Sequence, residues 1–117
     1  MPVTFAAVRK FALSLDNVEE GMSYGTPGFR VGGVLFLRFH QDGKSLVVRT
    51  EFEQREELLA ADPAAYYMTD HYVNYEWILV RMACVHADAL RDLLRWAHKS
   101  ASAEKRHAPR RKKRAAR

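Results

Sequence analysis

A single cysteine, Cys84, stands among 117 residues. It can form no internal disulfide and no cysteine zinc cluster, so a reducing compartment, the cytoplasm, is the expected setting. At the end of an apolar stretch it reads as a buried, inert thiol. Long apolar runs are also lacking: no segment approaches the ~20 apolar residues of a membrane-spanning helix. The N-terminus has no basic region followed by an apolar run, the pattern of a secretory leader. Five histidines, His40, His71, His86, His98 and His107, fall into none of the spacings that hold zinc on a helix, so no metal or other cofactor is expected. Walker loop, dinucleotide fingerprint and Gly-x-Ser-x-Gly elbow are all missing. No catalytic residue is assigned, and a non-enzymatic role is expected.

Acidic residues are scarce at one end only. From Lys99 onward the chain carries nine lysines and arginines against one acid, Glu104, a net charge of +8. The preceding 98 residues hold ten basic and thirteen acidic side chains, a net of −3. The overall charge of +5 therefore belongs to the tail and not to the fold. Within that tail Arg110, Arg111, Lys112, Lys113 and Arg114 are consecutive cations. If all five neutralised phosphates, duplex binding would carry a salt slope of about −4.5, at roughly −0.9 per contact. The same run suits a nuclear address, anionic lipid, an acidic protein or plain solubility.

What remains is one ordinary domain. Thr4 can cap a helix in which Phe5, Val8, Ala12 and Leu15 share a face. Short strands are expected around 22–24, 29–31 and 34–40, then a hairpin turn at Gln41-Asp42-Gly43-Lys44 and a return strand over 45–50. Gly25-Thr26-Pro27-Gly28 and Gly32-Gly33 read as turn chemistry. A short helix over 52–61 is closed by Asp62-Pro63. Strands over 66–69 and 75–85 follow, and a last helix over 87–98 turns Leu90, Leu93, Leu94 and Ala97 inward. The fold class is α+β: a largely antiparallel sheet flanked by helices, in the order α-β-β-β-β-α-β-β-α. The domain is expected over residues 1–100. Residues 101–117, with no large apolar side chain, form an expected disordered basic tail.

The stretch Ser23-Tyr24-Gly25-Thr26-Pro27-Gly28-Phe29-Arg30-Val31, with Leu35-Phe36, Leu46-Val47-Val48-Arg49, His71-Tyr72 and Trp77-Ile78-Leu79-Val80-Arg81 after it, resembles the MmcQ/YjbR-like family. The resemblance runs from the first helix to the last. It implies a CyaY-like fold and a DNA-binding role in which paired hairpin wings meet nucleic acid. Val34 and Glu76 depart from the family pattern, where a lysine and a proline are common, and both changes weaken phosphate binding.

Two readings of the chemistry stay open. In the first, Arg30 and Arg38 project from a β-ribbon, and His71, Tyr72 and Asn74 offer stacking and hydrogen bonds from a loop. DNA or RNA is then the partner, and the tail supplies most of the affinity. In the second, a small anionic ligand or a protein partner binds near Tyr24, Arg30, His71 and Trp77, and the tail is incidental. The two arginines can instead pair with Glu19, Glu20, Glu51 or Glu76. Alternation places Val34, Phe36, Arg38 and His40 on one face of their strand, and Leu35, Leu37 and Phe39 on the other. A monomer is slightly favoured.

Overall fold

The computed structural model describes residues 3–23 and 25–115, with the side chains of these up to Glu104 apart from Ser23. The first helix, α1 (Phe5–Leu13), starts where Thr4 Oγ1 accepts the Ala7 N–H at 3.1 Å, and it buries Val8 and Ala12. Four strands follow: β1 (Val18–Ser23), β2 (Thr26–Val31), β3 (Val34–Phe39) and β4 (Ser45–Arg49). Helix α2 (Phe52–Ala61), β5 (Tyr66–Tyr67), β6 (Trp77–Arg81) and α3 (Ala87–Ala115) complete the chain. The element order is the expected one. All strand pairs are antiparallel, in the spatial order β1-β2-β3-β4-β6-β5.

Two turns fix this register. Gly32 and Gly33 both have positive φ, 59° and 85°, the geometry that a two-residue connection between twisted strands requires. In the next hairpin Gly43 has φ 73°. Asp42 Oδ1 accepts the backbone N–H groups of Lys44 and Ser45 at 2.8 and 3.0 Å, so the turn is closed from inside.

One face of the sheet is covered by α1 and α3. Phe29, Phe36, Leu37, Leu46, Val48, Ile78 and Val80 meet Val8, Ala12, Leu90, Leu93, Leu94, Ala97 and Ala101 there, all buried. Each large side chain so buried contributes about 1.5–3 kcal/mol. The opposite face carries a smaller cluster of Val47, Leu79 and Tyr72, with Tyr67, Met68 and Trp77 around it. Tyr72 comes from the segment 68–76, which folds back over this otherwise open face.

The structure corrects three expectations. Simple alternation in β3 fails, because Phe29 pairs with Leu37 while the next residue, Arg30, pairs with Leu35. Phe36 is the extra residue of a β-bulge. It turns with Leu37 into the helical core, where its ring meets His98 at 5.7 Å between centroids. Leu35 consequently moves to the face of Arg38.

The last helix does not stop at His98. Ala101 is fully buried one turn beyond Ala97, and Arg49 bonds both Ser100 Oγ, at 3.2 Å, and the carboxylate of Glu104. Its backbone is helical to Ala115. The side chains of Arg110, Arg111, Lys112, Lys113 and Arg114 lie outside the described residues, as does Tyr24. Finally, Cys84 is exposed and not buried. Among the described residues no helix is long and apolar enough to cross a membrane.

The Asp42 turn generates a pH-dependent prediction. Burial raises the Asp42 pKa, but the N–H groups of Lys44 and Ser45, the His40 ring and the Ser45 hydroxyl outweigh it, and the net shift is downward. A depressed carboxyl stabilises the fold above its unfolded value and loses that contribution as pH falls through the folded one. Asp42→Ala is therefore expected to speed hydrogen exchange at the Lys44 and Ser45 amides at neutral pH. The difference from the natural chain should vanish in acid.

Candidate functional site

Across the sheet from the helices lies a cavity of about 690 Å³. Its floor is Leu35 and Val47, from β3 and β4. Arg38, His40 and Gln41 form one wall, and Thr69, His71, Tyr72, Tyr75 and Trp77 form the other. The bulge in β3 creates this composition: it aligns Leu35 with Arg38 while sending Phe36 and Leu37 to the core. Among the described lining residues there is no carboxylate.

Arg38 is only 6% exposed. Its Nη1 donates to Thr26 Oγ1 at 3.2 Å and to the Phe39 carbonyl at 3.1 Å, and its Nη2 donates to the Tyr72 hydroxyl. The guanidinium carbon sits 5.8 Å from the centre of the Tyr72 ring. Three acceptors on two strands and a loop thus set the plane of the cation. Tyr72 is in turn steadied by His71, whose ring meets it edge-on at 4.7 Å. On the other wall His40 Nδ1 accepts the Asp42 N–H at 3.3 Å.

The loop that supplies Thr69 to Glu76 is held by a residue outside the cavity. Arg55, on α2 and 5% exposed, directs Nη1 to the carbonyls of Tyr75, at 2.7 Å, and of Tyr72 and Trp77, both at 3.4 Å. Its Nη2 donates to the Val73 carbonyl at 2.9 Å. The Phe52 ring lies 4.9 Å from its guanidinium carbon. The Val73 carbonyl is thereby paired under cover, and those of Tyr72 and Tyr75, which also accept the Tyr75 and Trp77 N–H groups at 3.0 and 2.8 Å, gain a charged second donor. Glu76 closes the same junction: its carbonyl accepts the Thr50 N–H at 2.9 Å and its carboxylate accepts the Phe52 N–H at 3.4 Å, at the start of α2. The acid that departs from the family pattern thus serves a helix end.

Arg38, His71, Tyr72 and Trp77 are brought together as cavity lining. Arg30 is not: it lies one strand further out, in register with Glu19 on β1 and Leu35 on β3, and is half-buried. Asn74 is exposed on the loop and does not line the cavity. His40, Gln41, Thr69 and Tyr75 join the site, and Arg55 supports it. Arg55 had a signal in the sequence, since Leu58 and Leu59 follow it at i+3 and i+4 and mark the inward side of α2. Tyr75 was read as the start of a strand, but β6 begins at Trp77, after a tight turn in which the Tyr75 carbonyl accepts the Trp77 N–H at 2.8 Å and also Arg55 Nη1 at 2.7 Å. Among the described residues no group of three or more His, Cys, Asp or Glu side chains could hold a metal ion.

Residues 13–100 match the family model described as YjbR. The crystal structure of Deinococcus radiodurans protein DR2400, which has family-model domain DUF419, is similar with a TM-score of 0.69 and 25% sequence identity. The likeness covers 81% of this chain and 75% of that one. No curated protein matches.

The Arg55 network predicts a large effect from a small change. Arg55→Met keeps the stem and removes charged donors from four carbonyls, of which those of Tyr72 and Tyr75 keep a backbone partner in the Tyr75 and Trp77 N–H groups. Urea denaturation should show a loss of about 2–3 kcal/mol. Tryptophan emission should shift to the red as the loop uncovers Trp77.

Proposed function

The chain belongs to the YjbR family, and on the geometry of its open sheet face we propose that the folded domain is a non-enzymatic binding module for a small anionic ligand. One observation carries this reading. A guanidinium that is 6% exposed, fixed by three acceptors, forms part of the wall of a 690 Å³ cavity. Cavities of about 300–1,000 Å³ with a few convergent polar groups are the usual form of small-molecule sites. A duplex, by contrast, presents a convex phosphate ridge that is met by exposed cations. Arg38 is recessed, and Arg30 faces Glu19 across the β1–β2 ladder. The net charge of −3 over the first 98 residues further disfavours a polyanion there.

Nucleic acid remains the second reading, and it attaches to the tail. The basic run Arg110, Arg111, Lys112, Lys113 and Arg114 falls on the backbone of α3 and holds five consecutive cations. Such an array attracts any polyanion without reading its sequence.

The two readings separate in one titration of ¹⁵N-labelled full-length protein with duplex DNA over a range of salt. DNA is expected to bind with a slope of about −4.5 if all five cations engage. It should leave the amides of His40, Thr69 and His71 unmoved. Replacing residues 110–114 with glutamine should abolish that binding. Duplex DNA that still binds the glutamine variant and shifts those three amides would replace the small-ligand reading with nucleic-acid recognition by the folded domain.

A further inference from the structure

The cavity is specific enough in its chemistry to name a ligand class, and this step rests on the small-anion reading. We infer that the site takes a planar aromatic monocarboxylate, its carboxylate on Arg38 and its ring system between Tyr72, Tyr75 and Trp77. Charge sets the first limit. Arg38 is the one permanently charged residue among the described lining residues, which matches one negative charge. A phosphomonoester dianion is ordinarily met by several cations or by a cradle of backbone N–H groups. The N-terminus of α2 offers no such cradle, because the Phe52 N–H is directed to Glu76.

Shape sets the second limit. Guanidinium is a planar fork that matches a carboxylate edge to edge. Its plane is fixed before a ligand arrives, by Thr26, Phe39 and Tyr72, so little ordering entropy is lost on binding. Much of the remaining lining is apolar: three aromatic rings on one wall and Leu35 and Val47 beneath. Rings of this kind favour a flat partner in stacked or edge-on contact. A two-ring body fills such a slot better than acetate or a branched aliphatic acid. Gln41 and Thr69 supply polar atoms at the rim for a ring nitrogen or hydroxyl.

The test titrates the full chain with 2-naphthoate, quinoline-2-carboxylate, 2-naphthamide, 2-naphthyl phosphate and inorganic phosphate, followed by calorimetry and amide shifts. The carboxylates are expected to shift the amides of His40, Thr69 and His71. They should bind at least about tenfold more tightly than the uncharged amide, the worth of one charge-assisted hydrogen bond. Arg38→Gln should remove that difference. Because Arg38 is buried and its loss could unfold the domain, Tyr75→Ala provides the independent variant. Tyr75 is 59% exposed, and its truncation should weaken the carboxylates by about fivefold or more through lost stacking.

Arg38-dependent binding of either phosphate, with none of the carboxylates, would overturn the ligand class and leave the small-anion reading intact. Equal binding of 2-naphthoate and 2-naphthamide would overturn both, and so would the absence of any cavity shift with all five probes.

Discussion

The clasp between Arg55 and the carbonyls of the 72–77 segment is the constraint on which the open face depends. A loop of this length crossing the sheet must find partners for its peptide oxygens or leave them exposed to water. One guanidinium, delivered from the middle of α2, meets four of them. It thereby sets the end of β6, the height of Tyr72 above the sheet and the far wall of the cavity. Tyr72 then passes the constraint on to Arg38 through its hydroxyl. Two buried arginines are thus linked through one tyrosine: the first shapes the loop and the second lines the cavity.

The sheet separates two kinds of work. Its helical side is a conventional core, in which the α3 stripe from Leu90 to Ala101 meets the apolar residues of β2, β3, β4 and β6. Its open side carries far fewer buried apolar groups and devotes them to supporting a polar site. The bulge at Phe36 joins the two roles. The extra residue adds a ring to the helical core and, in the same step, shifts the phase of β3 so that Leu35 and Arg38 face the cavity together.

Much of this organisation was legible in the residues. The limits of α2, the Asp42-Gly43 hairpin and the inward stripe of α3 follow from local rules, because capping, turn chemistry and helical periodicity are decided within a few residues. The phase of β3 is different in kind. Whether Phe36 interrupts alternation depends on its pairing with β2 and on room beside His98, both remote in the chain. The end of α3 escaped notice because its last apolar anchor is Ala101, small enough to be buried without any hydrophobic signal. At the site, His71, Tyr72, Trp77 and Arg38 stood out as residue types, but their meeting with His40 and Tyr75 is a product of the loop's return across the sheet. Arg30 looked equivalent to Arg38 in sequence and differs in space by one strand.

The anchoring of α3 by Arg49 has a consequence for how the two charged regions coexist. Ser100 and Glu104 fix the point from which the basic segment departs, and α3 packs on the face of the sheet turned away from the cavity. The cavity is lined from one face of the sheet, and the apolar stripe of α3 from Leu90 to Ala101 packs on the other. The residues that hold the helix are therefore not those that line the cavity, and a change in one set leaves the other in place.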